Sequence, residues 1–62
     1  MFVIRNKTMK MINSKFQYIG EEINSNFVQL TNKENARRFE TEEEAKSYMK
    51  QNKIKDGELE LL

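Results

Sequence analysis

Neither cysteine nor histidine occurs in this chain of 62 residues. Disulfides are therefore excluded, and so are thiolate or imidazole metal sites, cysteine nucleophiles and histidine bases. A chain this short buries only about 60% of the surface that it exposes when unfolded, so its stability is expected to be small. We expect one domain over residues 1–62. Association with a second copy or with a larger partner would add stability, which makes a homo-oligomer one expectation.

Hydropathy and charge predict a polar cytoplasmic protein. Charged residues make up 34% of the chain, and the mean hydropathy is -0.87. We expect no membrane association, because no apolar run reaches the roughly 20 residues that span a bilayer. The opening run, residues 1–4, is too short for the core of a signal peptide. The formal charge of +1 combines +3 over residues 1–33 with -2 over residues 34–62, so the N-terminal half is mildly basic.

Short runs of β-branched, aromatic and alternating apolar residues predict strands in the N-terminal half. The runs are residues 2–5, 9–12, 15–19 and 27–31. Residues 6–8 are predicted to form a hairpin turn and residues 21–26 a loop, whereas Asn13 and Ser14 fit either a turn or a bend within one long strand. Phe16 and Tyr18 share one face of the third run, since side chains repeat every two residues. The apolar residues of the fourth run predict burial on both faces and hence a central strand.

A helix is predicted over about residues 42–52. Thr41 is followed three residues later by Glu44, the spacing of a capping box, in which each side chain satisfies an exposed backbone N–H of the other. Three glutamates in the first turn also complement the positive end of the helix dipole. Ala45, Tyr48 and Met49 then form an apolar stripe that can cover a sheet.

The remaining local patterns complete an α+β fold. The same Thr-x-x-Glu spacing at Thr31 predicts a single helical turn, and the turn residues before Glu58 precede a short alternating C-terminal strand. We therefore predict a small antiparallel sheet of three to five short strands packed against one helix. The residues expected to be buried together in its core are Ile4, Phe27, Phe39 and Tyr48.

One stretch of the chain resembles a known group of proteins. Residues 36–45 read Ala-Arg-Arg-Phe-Glu-Thr-Glu-Glu-Glu-Ala, and the chain opens with a Phe-Val-Ile-Arg strand. This combination resembles small phage and prophage accessory proteins, which pair an opening Tyr-Val-Ile-Lys type strand with a later Ala-Arg-Phe, Thr-Glu-Glu-Ala helix start. The resemblance implies a phage-encoded protein that binds a protein of its bacterial host. It implies no catalytic or binding residue.

The sequence favours a protein without enzymatic activity. Carboxylates and lysines are the possible bases, and the consecutive Glu42, Glu43 and Glu44 point about 100° apart on a helix. They therefore cannot form one acid/base pair or chelate one cation. The chain has only two glycines, so it lacks a Gly-rich phosphate loop. We expect no cofactor and no metal.

Two candidate surfaces lie in the N-terminal half. The basic residues Arg5, Lys7, Lys10 and Lys15 lie near aromatic residues in the sequence, and such a set could hold single-stranded nucleic acid. The alternative is that the aromatic rings belong to the core and the lysines are ordinary solvated residues of a strand edge. The second candidate is the pair Met9 and Met11. Exposed methionines would indicate a protein interface, whereas buried ones would fill gaps in the core.

Two further candidates lie in the C-terminal half. Asp56, Glu58 and Glu60 would line one face of a strand at about 6.8 Å intervals. Such a row could mimic a phosphate backbone and occupy a basic channel of a partner that handles nucleic acid; the alternative is a solvated face. Arg37 and Arg38 could clamp a carboxylate or phosphate of a partner, or pair with neighbouring glutamates.

These observations rank three hypotheses for function. The first is a protein-binding module, encoded by a phage, that modulates or inhibits a host protein, with anti-defence activity as one form. The second is a small nucleic-acid-binding protein that uses the basic N-terminal half; a pI near 8.0 disfavours it. The third is a structural or assembly component that associates with itself.

Overall fold

The structure is a computed structural model that describes the backbone of residues 1–24 and 27–62 and the side chains of residues 1–21 and 29–62. Its elements, in chain order, are β1 (Phe2–Asn6), α1 (Lys7–Met11), β2 (Tyr18–Asn24), β3 (Phe27–Thr31), a 3-10 helix (Lys33–Asn35), α2 (Glu42–Gln51) and β4 (Gly57–Leu61). The four strands form one antiparallel sheet in the order β3-β2-β1-β4, and α2 packs against one face. The fold is therefore α+β, as predicted.

β1 lies inside the sheet and is buried on both faces. Val3 and Ile4 are completely buried, and successive side chains of a strand point to opposite faces. β1 pairs with β4 along its full length, beginning with Phe2 opposite Leu61. Residues 2–4 thus supply the centre of the molecule, which explains their β-branched and aromatic composition.

The sheet is split between β1 and β2 by a connecting segment. These two strands pair at Arg5 and Tyr18 and then diverge. Residues 36–39 fill the gap. The N–H of Phe39 donates to the carbonyl of Phe2 at 2.8 Å, and the carbonyl of Phe39 accepts from the N–H of Phe2 at 2.7 Å. On the other side, the N–H of Arg37 donates to the carbonyl of Ile19 at 2.9 Å. The segment therefore satisfies backbone groups that the diverging strands leave open.

The main core lies between the sheet and α2. Ile4, Ile19, Phe39 and Ala45 are buried there, and the ring of Tyr48 packs on that of Phe39 with centroids 5.2 Å apart. The predicted grouping of Ile4, Phe39 and Tyr48 is confirmed. The side chain of Phe27, the fourth residue of that prediction, lies outside the described residues. A second buried cluster on the opposite face consists of Val3, Tyr18 and Ala36.

The helix α2 begins where the sequence predicts. Thr41 is its N-cap, and the Thr41 hydroxyl accepts a hydrogen bond from the N–H of Glu44 at 3.1 Å. After the helix, Lys53 adopts a left-handed backbone with φ of 54°. The N–H of Ile54 then donates to the carbonyl of Met49 at 2.9 Å. This is a Schellman ending, and it brings the apolar Ile54 back onto the core.

Gly57 allows β4 to pass closely beneath the end of α2. A Cβ at this position would lie 2.7 Å from Met49 Sδ and 2.9 Å from Ile4 Cγ2. Both distances are below van der Waals contact, and Ile4 is a completely buried, β-branched neighbour with little freedom to move. β4 is the short C-terminal strand that the sequence predicts, so this prediction is confirmed.

The prediction of a strand over residues 9–12 is wrong, because these residues belong to α1 and its C-terminal cap. The Asn6 side chain accepts a hydrogen bond from the N–H of Met9 at 2.9 Å and so caps the helix. Asn13 ends it, with a left-handed φ of 57°. Of the two options for Asn13 and Ser14, the turn is the one observed. The predicted hairpin turn over residues 6–8 is also wrong, since Asn6 ends β1 and the next two residues are helical.

Four further details of the fold differ from the predictions. The strand predicted at residue 15 starts only at Tyr18, and Phe16 lies exposed before it. Residues 21–24, predicted as loop, extend β2, while residues 25–26 lie outside the described residues. β3 was predicted to be central but lies at an edge of the sheet. The single helical turn is confirmed as the 3-10 helix, but its N-cap is Asn32 instead of Thr31.

Candidate protein-binding surface

The basic and acidic candidate surfaces meet each other in the fold. Because β1 and β4 are neighbours, Arg5 Nη1 lies 3.3 Å from Glu60 Oε1. In the same way, Lys10 Nζ at the end of α1 lies 3.2 Å from Glu58 Oε1. Two of the four residues predicted to contact nucleic acid therefore pair with two of the three predicted to mimic it.

Asp56 lies just before β4, so it does not extend the row of carboxylates formed by Glu58 and Glu60 on that strand. Its carboxylate accepts a hydrogen bond from the Thr8 hydroxyl at 3.1 Å, and its carbonyl accepts from the N–H of Lys7 at 2.6 Å. Each carboxylate of the predicted acidic row thus has a donor within the chain. The arrangement joins α1 to β4 and leaves no unpartnered row of carboxylates among these three residues.

Glu60 is the centre of a polar network on the sheet face opposite α2. Lys33 Nζ lies 2.8 Å from Glu60 Oε2, and the Tyr18 hydroxyl donates to the same carboxylate at 3.0 Å. Arg5 completes the group: its Nε donates to Gln17 Oε1 at 2.8 Å, and its guanidinium lies 5.4 Å from the centre of the Tyr18 ring. The network covers the second buried cluster of the fold.

The pKa values of this network follow from its contacts. The hydrogen bond from Lys33 holds the pKa of Glu60 below its ordinary value, with a smaller contribution from Tyr18. Burial raises the pKa of Tyr18, and the neighbouring Glu60 carboxylate raises it further. The same carboxylate raises the pKa of Lys33. All three shifts favour the protonation states present at neutral pH, in which the Glu60 carboxylate accepts from the Tyr18 hydroxyl and pairs with the Lys33 ammonium.

Exposed apolar side chains lie in and just after α1. Met11 is 85% exposed, Ile12 65% and Phe16 52%. They belong to residues 7–17, a segment with three lysines and no acidic residue. Among the residues with described side chains, Lys7 and Lys15 have no carboxylate within ion-pair distance. We call Lys7, Met11, Ile12, Lys15 and Phe16 the α1 surface.

Backbone hydrogen bonds hold the α1 surface in place. The N–H of Ser14 donates to the carbonyl of Met9 at 3.0 Å, and the N–H of Asn13 donates to that of Lys10 at 3.1 Å. With Asn13 in the left-handed conformation, these bonds form a Schellman ending. The Gln17 side chain then donates to the carbonyl of Ser14 at 2.7 Å. The apolar side chains are therefore presented by an ordered turn.

Only part of the α1 surface is predicted by the sequence. Of the predicted methionine pair, Met11 is exposed, whereas Met9 is half-buried. Ile12 and Phe16 were missed because both were assigned to strands. Asn6 and Asn13 could have indicated a short helix between them, since asparagine favours both the N-cap and the left-handed end of a helix.

The two neighbouring arginines are not brought together. The Arg37 guanidinium lies 5.0 Å from the centre of the Tyr48 ring and lines an open groove of about 550 Å³ beside α2. Arg38 is exposed and lines a different groove with Glu21 and Glu34. Successive side chains of an extended segment point to opposite sides, so these arginines do not form a joint clamp.

The described residues contain no group of three or more acidic side chains that could hold a metal ion. Within that same part of the chain, every helix is too short or too polar to cross a membrane. Comparisons with protein-family models, with curated proteins and with solved structures find no match.

Proposed function

We propose that this chain is a protein-binding module without enzymatic activity, and that the α1 surface contacts its partner. The observation that carries the proposal is the exposure of Met11, Ile12 and Phe16 on an ordered turn. A chain with so small a core would gain stability by burying such side chains, and it leaves them in solvent instead. Methionine adapts to irregular surfaces, and aromatic residues are enriched at interfaces.

The charge around these residues indicates the chemistry of the partner. Lys7 and Lys15 are cationic, and the segment that carries them has no acidic residue. The complementary surface is an apolar pocket or groove with acidic residues at its rim. Anionic membranes attract clusters of about four to eight basic residues, and the two lysines of the α1 surface fall short of that number. A protein partner is therefore favoured over a lipid surface.

The resemblance to phage accessory proteins suggests what the partner is. On that basis the partner is a cytoplasmic protein of a bacterial host, and binding modulates or inhibits it. An anti-defence role is one form of such inhibition. The pairing of Glu58 and Glu60 with cations of this chain gives mimicry of nucleic acid less support than contact through the α1 surface.

Affinity capture with matched variants tests this proposal. The tagged chain is compared with a variant carrying Met11→Ser, Ile12→Ser and Phe16→Ser, and with a control carrying Met1→Ser and Leu62→Ser, which removes exposed apolar residues elsewhere. We expect a protein of the source cells to be retained by the wild type and the control and lost with the first variant. Equal retention by all three would contradict the proposal. Binding of the wild type to vesicles of phosphatidylglycerol, lost with the same variant, would assign the surface to lipid instead.

A further inference from the structure

The outer edge of β4 carries backbone groups that face away from the sheet. The N–H of Lys7 donates to the carbonyl of Asp56, and the N–H of Leu62 donates to that of Met1. Even-numbered residues from 56 to 62 therefore bond to β1, because N–H and C=O groups alternate in direction along a strand. It follows that Gly57, Leu59 and Leu61 direct their backbone groups outward. β4 is an edge of the sheet, so these groups are open to another strand.

We infer that two copies of this chain pair antiparallel through β4 and form one continuous sheet of eight strands. The two-fold axis passes beside Leu59, so that Leu59 faces Leu59 of the second copy. In this register Gly57 lies opposite Leu61 of the second copy, and the outward backbone groups of both strands form hydrogen-bonded pairs. The inference is independent of the α1 surface and extends beyond the proposed function.

The apolar side chains of β4 fit this register. Leu61 is 67% exposed, and the residue that it meets in the second copy, Gly57, has no side chain. The space above Gly57 is occupied by Met49 and Ile54, both half-buried. Leu61 of one copy would therefore lie beside the Met49 and Ile54 side chains of the other, and pairing would remove apolar surface from water on both sides of the axis.

The charges also fit. The same register places Glu58 opposite Glu60 of the second copy, and two bare carboxylates there would repel each other. Each already has a cation within its own chain: Lys10 lies 3.2 Å from Glu58, and Lys33 lies 2.8 Å from Glu60. Lys10 is half-exposed, so its ammonium can interact with both carboxylates of the pair. The pairs within the chain thus remove the repulsion that would otherwise protect this edge.

The pairing is expected to be weak. A contact made by two five-residue strands and a few apolar side chains is smaller than the roughly 1,200–2,000 Å² of a stable protein interface. The dimer should therefore form only at high concentration, and backbone hydrogen bonds should be essential to it. Leu61 offers a way to test this, because its outward N–H plays no part in the pairing of β4 with β1.

Sedimentation equilibrium of the full chain, from about 10 µM to about 1 mM, measures the association in the range where small interfaces dissociate. We expect the mean mass to rise from 7.4 kDa toward twice that value. Leu61→Pro removes the outward N–H, and its mass should stay that of a monomer. Leu61→Ile, which keeps the outward N–H and an apolar side chain of the same size, should behave as the wild type.

Amide hydrogen exchange of the wild type makes the test independent of variants. The N–H groups of Leu59 and Leu61 should exchange at least several-fold more slowly at the highest concentration than at the lowest. A monomeric mass at all concentrations would overturn the inference. So would a dimer in which these two amides exchange at the same rate as in the monomer, or one that Leu61→Pro leaves intact while folded.

Discussion

Lys10 and Glu58 are 48 residues apart in the chain, yet Lys10 Nζ lies 3.2 Å from Glu58 Oε1. The contact joins the end of α1 to β4. It has a counterpart in the pair of Arg5 and Glu60, which joins β1 to β4. Residues that look like two separate binding surfaces in the sequence are thus partners within the fold. The contact with another molecule that we propose is the α1 surface, which includes the neighbouring Met11.

This pairing predicts weak binding to nucleic acid. Of the four basic residues proposed for that role, Lys7 and Lys15 have no ion pair among the described side chains, so about two phosphates could be neutralised. We expect no micromolar affinity for random single- or double-stranded oligonucleotides at about 150 mM salt, measured by fluorescence anisotropy. Tight, salt-sensitive binding that the combined change of Lys7, Lys10 and Lys15 to Ala abolishes would instead favour a nucleic-acid-binding function.

The cap of α2 predicts a defined loss of stability. Thr41→Ala removes the hydroxyl that accepts from the N–H of Glu44, which should lower the free energy of unfolding by about 1 kcal/mol. For a domain of this size the melting temperature should fall by about 4–8 °C. Thr41→Ser keeps the acceptor and should melt close to the wild type. The melting temperatures are measured by circular dichroism. Equal values for all three proteins would show that the cap does not contribute to stability.

The helices α2 and α1 show how much of the fold can be predicted from neighbouring residues in the sequence. Thr41 and Glu44 identify the start of α2 because the cap involves only four neighbouring residues. At residues 9–12 the same kind of evidence was outweighed by a short apolar alternation, and four residues cannot distinguish a period of 2 from one of 3.6. The caps Asn6 and Asn13 decide the outcome there.

Contacts between distant residues could not be predicted from local patterns. The order of strands places β1 between β2 and β4, and no turn residue specifies that the ends of the chain pair with each other. The contact of Tyr18 with Glu60 spans 42 residues and follows from that order. The exposure of Phe16 depends on where β2 begins, which is set by the pairing of Tyr18 with Arg5.

The end of α2 predicts a stabilising substitution. Lys53 adopts a left-handed backbone, which costs a residue with a side chain about 1–2 kcal/mol. Lys53→Gly should relieve this strain, partly offset by the greater freedom of glycine in the unfolded chain. A net gain of up to about 1 kcal/mol, and a melting temperature higher by a few degrees, is expected. Lys53→Ala, which removes the charge but keeps the Cβ, should give no such gain. Equal effects of the two variants would contradict the explanation.

The network around Glu60 predicts loss of stability in acid. The pKa of Glu60 is lowered from an ordinary value of 4.5, first by Lys33 and then by Tyr18. Its contribution is therefore fully present above pH 4.5 and is lost as the pH falls from there through the lower pKa of the folded state. Glu60→Gln should melt at a lower temperature than the wild type at pH 7 and show a smaller decrease below pH 4.5. Parallel melting curves against pH for both proteins would contradict this role of the carboxylate.

The same network predicts loss of stability in alkali. The pKa of Tyr18 is raised above 10.0 and that of Lys33 above 10.5, so both contributions are present below those values. They are lost as the pH rises through the higher pKa values of the folded state. Tyr18→Phe separates the two, because it should remove the hydroxyl's share of the alkaline decrease and leave that of Lys33. An unchanged alkaline decrease in this variant would exclude Tyr18 as a source.

Photo-crosslinking at Phe16 tests the central proposal most directly. Phe16 is replaced by benzoylphenylalanine in the source cells, and the same probe is placed at Lys46, an exposed position on α2 outside the α1 surface. We predict one discrete protein adduct from position 16 that is absent from position 46, and its loss when Met11→Ser and Ile12→Ser are added. No protein adduct from position 16, or the same adducts from both positions, would contradict the assignment of the α1 surface as the protein-binding site.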